Sequence, residues 1–360
     1  MEKLRVGIIG CGGIASGKHL PVLAKMPEVE VVAFCDIIPE RAQELAKKYG
    51  TPDAKVYTDY KELLKDESIN NVRVLTQNRN HCEITVDALN AGKHVLVEKP
   101  MCITTEEAKK MLEARDKSGK ILAVGYQFNF SNEAQYVRQE TMAGRFGKIY
   151  FGKCRSLRRR GVPTWGVFTQ EKEQGAGPLF DVGTHALSEM LYVMDNYEPK
   201  MVVGAMHDEM KDNPKCANPF GEWNVDNFDV ETSAFAFITM KNGATIILEC
   251  SWLLNTLETT GPRFLLAGTE AGADFLNGKF RVNYVKNNRQ VVEEPDFSVG
   301  GVAFFNGANA NQNELEQQNF IDAILGKAEL VNTADRAAVV TYILDAIKKS
   351  AKSGQPVYFE

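Results

Sequence analysis

Leu4-Arg5-Val6-Gly7-Ile8-Ile9-Gly10-Cys11-Gly12-Gly13-Ile14-Ala15 is an apolar run that breaks into glycines, and its reading decides the fold. The last six residues fit G-x-G-x-x-[GA] directly after a strand. Gly10 permits a tight turn, Gly12 lets the backbone approach a pyrophosphate, and the small Ala15 lets the next helix pack closely. That helix would offer free N–H groups and its positive dipole end to the phosphate. Glycines also serve plain turns, so the surroundings must decide. Asp36 ends a second apolar run, 31–36, about 20 residues past the motif, where a ribose-binding acid is expected. Its carboxylate could take both ribose hydroxyls and would repel a 2′-phosphate, and Ile37 and Ile38 offer that phosphate nothing. Arg41 is the one nearby cation. NAD is therefore favoured over NADP; the plain alternative for Asp36 is a helix N-cap near Pro39.

Further apolar runs at 72–76, 94–97 and 121–125 alternate with helical segments at 39–49, 59–65, 81–91 and 105–117. Pro39 stands where a helix start tolerates it, and Gly50, Gly92 and Gly119 follow as stops. Buried strands alternating with helices predict a parallel, doubly wound Rossmann sheet over residues 1–125. Beyond Gly125 the strands lengthen, at 149–157, 201–206, 231–240, 244–252, 263–268 and 279–285. Asn242-Gly243 is a hairpin signal between two of them. These predict a mostly antiparallel sheet in an α+β domain over 126–360, with helices at 181–194, 312–325 and 334–352. The stretch 212–227, rich in Asn and Pro, reads as loop.

The chain of 360 residues exceeds one ordinary core, and 42 Lys+Arg against 47 Asp+Glu give a net charge of −5. That balance argues against nucleic acid and anionic membrane as partners. No run approaches the roughly 20 apolar residues of a spanning helix, and no secretion signal is expected at the N-terminus. The seven scattered cysteines contain no Cys-x-x-Cys pair. They read as reduced thiols of a cytoplasmic protein, without a zinc site.

Two further features carry chemistry. Glu98-Lys99-Pro100 places a charged pair at the carboxyl end of a strand, where open α/β sheets bind ligands. Lys99 could stabilise a developing alkoxide or relay a proton; a solvated surface pair is the plain alternative. Asp181 and His185, four apart after a glycine-rich approach, share one helix face. His185 is the natural base for an alcohol, with Asp181 orienting it or bonding a substrate hydroxyl. Glu189 extends the stripe, but no second histidine or cysteine stands at ligand spacing, so no metal is assigned. A capped helix with a buried histidine would show the same pattern.

Together, in this order, the glycine turn, Asp36, Glu98-Lys99-Pro100 and Asp181-x-x-x-His185 resemble the Gfo/Idh/MocA oxidoreductase family. Smaller matches are His19, His81, Gly125-Tyr126-Gln127 and residues 144–149. The resemblance spans nearly the whole chain. It implies catalytic Lys99, Asp181 and His185, substrate between the domains, and an open C-terminal sheet that builds homo-oligomers. The implied cofactor site takes in Gly10, Gly12, Gly13, Ile14, Asp36, Arg41, Thr76, Asn78, His81, Glu98, Lys99 and Gln127. Two departures bear on substrate contacts: the turn 76–81 lacks the proline common there, and Asn129 stands where many members carry a basic residue. Residues 158–166, Arg-Arg-Arg-Gly-Val-Pro-Thr-Trp-Gly, look like members acting on sugars and glycosides, including those oxidising the sugar 3-hydroxyl. Tyr126, Asn129, Arg158, Trp165 and His185 are the substrate candidates, Trp165 for its apolar face.

The expectation is an NAD-dependent dehydrogenase acting on a secondary hydroxyl of a sugar, polyol or glycoside. The rivals are an NAD-using glycosidase of the same family, which needs the same residues, and a non-catalytic NAD-binding sensor. Strands 231–240 and 244–252 carry apolar residues on both faces, which favours cover by a second subunit.

Overall fold

The structure is a computed structural model and describes residues 3–297 and 311–360. The chain divides into two compact units, residues 1–127 with 309–338 and residues 128–308 with 339–360.

The first unit is built on six parallel strands: β1 (Leu4–Ile9), β2 (Val29–Cys35), β3 (Lys55–Tyr57), β4 (Asn71–Val74), β5 (His94–Glu98) and β6 (Leu122–Gly125). Their order, β3-β2-β1-β4-β5-β6, reverses between β1 and β4 and leaves a crevice at their carboxyl ends. A π-helical turn (Ala15–His19) runs into α1 (Leu20–Leu23) after the glycines. The crossovers are α2 (Pro39–Tyr49), α3 (Tyr60–Leu64), α4 (His81–Asn90) and α5 (Thr105–Ser118). Asp59 and Thr104 cap α3 and α5 through their side chains, and Gly119 ends α5 in the left-handed conformation at φ 64°. Strand β3 escapes the sequence reading because it is a short edge strand whose residues are largely exposed.

The second unit carries a nine-stranded sheet. Its strands are β7 (Ile149–Leu157), β8 (Pro199–His207), β9 (Ser233–Met240), β10 (Thr245–Ser251), β11 (Thr260–Gly268), β12 (Ala271–Asp274), β13 (Arg281–Lys286), β14 (Arg289–Glu293) and β15 (Val357–Tyr358). The order is β14-β13-β12-β11-β7-β10-β9-β8-β15, and β7–β10 is its one parallel pair among the described residues. The β9–β10 hairpin turns at Lys241-Asn242-Gly243, with Gly243 at φ 88°. Helices α6 (Asn132–Met142), α7 (Glu171–Gln174) and α8 (Thr184–Met194) belong to this unit. On one sheet face Ile238, Ile246 and Leu248 are fully buried, and Gly152 leaves room for Met190 and Met194 of α8. On the other face Val203, Phe237 and Ile247 lie side by side across β8, β9 and β10. Val203 and Phe237 there are 41% and 42% exposed.

Of the last two helices, α9 (Gln312–Ile324) lies in the first unit, not with the sheet that precedes it in sequence. Its Phe320 and Ile321 complete the apolar core formed by Leu20, Leu23, Phe34 and Leu96, and Arg73 stacks on the Phe320 ring at 4.6 Å. The final helix, α10 (Ala334–Ser353), supplies Ile347, which meets Gly204 of β8. Among the described residues no helix is long and apolar enough to cross a membrane.

Candidate active site

The glycine turn has the geometry a dinucleotide needs. Gly10 sits at φ 95°, and a Cβ there would lie 2.6 Å from the Leu75 carbonyl oxygen, so only glycine fits. Over Gly12 and Gly13 the opposite holds: an added Cβ would meet nothing within 4 Å, which leaves the backbone open to a ligand. Asp36 reaches back across the turn, accepting the Cys11 N–H at 2.7 Å with one oxygen and the Ile38 N–H at 2.9 Å with the other. The second contact is a local turn and not a cap on α2, whose N-cap is Ile38. Cys11 itself is buried, and its thiol is pushed up to about 12, by burial first and by Asp36 second. The Thr76 hydroxyl, past the end of β4, is buried without a hydrogen-bond partner among the described residues. An open glycine cradle, a carboxylate beside it and an orphaned hydroxyl fit a nicotinamide dinucleotide. Ile14 in the turn and Arg41 on α2 are exposed, and Asn78 is buried in the short turn Asn78–Asn80 after β4.

At the end of β5 the structure shows why Glu98 precedes Lys99. Glu98 Oε1 accepts from Lys18 Nζ at 2.7 Å and from His19 Nε2 at 2.8 Å, while Oε2 accepts the Lys99 backbone N–H at 3.1 Å. Lys18 also meets Glu316 at 3.1 Å and Gln127 at 3.2 Å. Burial alone would pull Lys18 down, but the Glu316 and Glu98 carboxylates outweigh it and hold the ammonium above its ordinary value. Burial likewise opposes the Glu98 charge, yet Lys18 and His19 keep its carboxyl far below the usual range. Glu316 is pushed up to about 7 by burial, Lys18 notwithstanding. His19 is pulled down to about 4 by burial. It is a neutral ring that donates through Nε2 and accepts the Gln317 amide on Nδ1 at 2.9 Å. Gln317 in turn accepts from Arg73 at 2.9 Å. His81 spans from Thr76 to Pro100, its ring nitrogens 3.0 and 2.7 Å from their carbonyl oxygens. Burial lowers its pKa although both carbonyls favour an N–H. Lys99 is half-buried, and its bond to Pro100 is cis.

In the second unit, Asp181 lies in a π-helical turn (Leu179–Gly183) that leads straight into α8, where His185 occupies the first turn. The sequence expectation of one regular helix from residue 181 is corrected here: the first turn is wider, a form common at functional positions. Asp181 Oδ2 accepts the Trp252 indole N–H at 2.9 Å and pairs with Arg158 at 3.6 Å. His185 is buried, with the Phe128 ring edge-on at 5.0 Å. The start of the π turn is held by Glu231, which accepts the N–H groups of Gly177 at 2.8 Å and Leu179 at 2.9 Å. Burial nevertheless pushes the Glu231 carboxyl up to about 7.

The structure thus gathers Lys99, Glu98, His81, Gln127 and the glycine turn in one unit and Asp181, His185, Arg158 and Trp165 in the other. Tyr126 and Asn129 are buried, and the Asn129 amide donates to Ser188 on α8 at 3.2 Å. Glu189 turns to Ser131, 3.5 Å away, and burial pushes its carboxyl up to about 8. No group of three His, Cys, Asp or Glu side chains able to hold a metal ion occurs among the described residues. Sequence reasoning missed Trp252, Glu231, Lys18 and Glu316, whose partners lie 52 to 80 residues or more away. A tryptophan closing a strand was the one available hint.

Two stretches of the chain match known domains. Residues 4–126 match the NAD-binding Rossmann domain of the Gfo/Idh/MocA oxidoreductase family, and residues 134–274 match its C-terminal domain. A D-glucoside 3-dehydrogenase of Escherichia coli (strain K12) is 34% identical over 354 residues, 98% of this chain and 97% of that protein. An inositol 2-dehydrogenase of Salmonella typhimurium is 36% identical over 164 residues, 45% of this chain and 48% of that protein. A levoglucosan dehydrogenase solved with NADH and L-sorbose shares the fold at a TM-score of 0.84, with 21% identity and full coverage of both chains. The chain belongs to the Gfo/Idh/MocA family of oxidoreductases.

Proposed function

We propose that this family member is an NAD-dependent dehydrogenase that oxidises a secondary hydroxyl of a sugar or glycoside, with the 3-hydroxyl of a glucoside as the leading candidate. The observation that carries this is the full-length 34% identity to a D-glucoside 3-dehydrogenase, joined to an intact Lys99, Asp181 and His185. Bound NAD would supply the hydride acceptor. Gly10, Gly12, Gly13 and Ile14 would hold its pyrophosphate, Asp36 its ribose, and Thr76, Asn78 and Gln127 would line the remainder. Asp36 next to the turn, followed by Ile37 and Ile38, supports NAD over NADP.

The residues of this chain then handle the proton. His185 accepts the hydroxyl proton on its imidazole as the carbinol carbon gives up its hydride. Asp181, fixed by Trp252, orients the imidazole or the hydroxyl, and Lys99 supports the negative charge that develops on the oxygen. Glu98 and His81, both engaged inside the protein, place the Lys99 segment. In this reading residues 1–125 with α9 serve the cofactor, and the rest of residues 126–360 serve the substrate and self-association. The half-exposed apolar row Val203, Phe237 and Ile247 supports burial against a second copy, and the free-thiol composition supports a cytoplasmic setting. Phe237→Lys should lower the mass seen by light scattering, and an unchanged mass counts against that face.

The test of the function is absorbance of NADH on mixing the protein and NAD with sugars, polyols and glycosides. NADH forming with glucosides supports the reading. Release of free sugar without NADH, or NAD binding without any turnover, refutes it.

A further inference from the structure

We propose that Trp165 and Phe220 form an aglycone subsite, which takes a flat apolar group carried on the sugar that is oxidised beside Asp181; this rests on the function proposed above. Both side chains belong to the same unit as Asp181 and His185. Trp165 is 53% and Phe220 46% exposed, and their rings stand at right angles, 89° at 5.0 Å. Single exposed aromatics are ordinary on a protein surface, but two set perpendicular to each other make a corner. Such a corner offers one face and one edge to a third flat ring.

The corner is held rigidly and not left to its own flexibility. Asn218 accepts the Val162 N–H at 3.0 Å and donates to the carbonyls of Val162 at 3.1 Å and Gly221 at 2.8 Å. Arg160 crosses between the same two loops to the Cys216 carbonyl at 2.9 Å. Ring contacts then lead inward. Trp165 packs on Phe168 at 5.9 Å, Phe168 on Trp252 at 6.4 Å, and Trp252 donates to Asp181. The corner thus stands two ring contacts beyond the indole that holds Asp181, and the group attached to the oxidised sugar is what the proposal places there.

Polar side chains brace the corner. The Thr164 hydroxyl donates to the Phe220 carbonyl, and Asn218 is engaged with backbone. Arg160 spreads its guanidinium over Cys216, Arg159 and Asn255. These groups hold the two loops together, and the exposed rings of Trp165 and Phe220 are the recognition surface. An aryl aglycone fits it.

The test measures both kcat/KM with NAD and equilibrium binding by calorimetry, for phenyl β-glucoside, methyl β-glucoside and cellobiose. The wild-type protein should prefer phenyl to methyl by about tenfold. Trp165→Ala and Phe220→Ala should bring that ratio close to one, and Trp165→Phe should keep most of it. Equal values for phenyl and methyl in the wild type overturn the subsite, as does a ratio that the alanine variants leave unchanged. Cellobiose matching the phenyl glucoside overturns the apolar assignment in favour of a second sugar ring. Preferential binding of the phenyl glucoside without NADH formation upholds the subsite and refutes the dehydrogenase reading instead.

Discussion

Trp252 and Asp181, 71 residues apart in sequence, are joined by an indole N–H that donates to Asp181 Oδ2 at 2.9 Å. Trp252 is fully buried where β10 ends, so the carboxylate is fixed by an element that does not move with its own helix. Trp252→Phe keeps the ring packing and removes the donor. Loss of a hydrogen bond to a charged group is worth roughly 1.5–3 kcal/mol. Turnover should therefore fall by about tenfold or more, with NAD affinity unchanged. Steady-state kinetics and NAD calorimetry decide, and a fall smaller than about twofold speaks against the positioning role.

Glu98 and Lys18 are a buried pair, and removing Glu98 takes away the nearer of the two carboxylates that Lys18 meets together with the acceptor of the buried His19. Glu98→Ala should cost roughly 3–5 kcal/mol and lower the melting temperature by at least about 6 °C. Glu98→Gln, which still accepts hydrogen bonds, should cost less. An exposed pair would contribute about 1 kcal/mol or less, so a small loss in the alanine variant would contradict the buried network.

Glu189 carries a proton in the folded protein that the unfolded chain gives up, because burial pushes its carboxyl from an ordinary 4.5 to about 8. The folded state then binds more protons, so this group lowers stability as pH rises from the ordinary carboxyl range through about 8, with no further change above. Glu189→Gln removes the dependence. The variant should melt about 3 °C or more above wild type at pH 8.5, with the gap closing toward pH 5. Parallel melting curves across that range would show that Glu189 does not hold the proton.

In the function proposed above, Asp36 separates the two nicotinamide cofactors by charge. Asp36→Ala should raise the KM for NAD by about tenfold or more and narrow the ratio of kcat/KM for NAD over NADP. An unchanged ratio would move the ribose contact to another residue.

The readable part of this protein was what one segment encodes locally. Gly10 through Ala15 and Asp36 specified the Rossmann turn because steric need and spacing are both written in sequence. The alternation of apolar runs gave most strands of both sheets. What stayed hidden has long-range causes. The exposed β3, the short β12, and α9 folding back onto the first unit follow from tertiary packing that periodicity does not record. The Glu98 network draws on Lys18, Gln127 and Glu316, scattered through the chain, so its burial could not be inferred from the Glu-Lys-Pro triplet alone. Likewise the π turn at Asp181 preserves the spacing to His185 while departing from a regular helix.

Hydride transfer from a sugar carbon is the claim on which the function stands. The direct measurement uses methyl glucoside carrying deuterium at C3, incubated with the protein and NAD, followed by mass analysis of the nicotinamide. Reduced cofactor bearing the deuterium, together with the 3-keto glycoside, is the expected outcome. Reduced cofactor without deuterium would place the oxidation at another carbon, and glucose release with no reduced cofactor would contradict the dehydrogenase altogether.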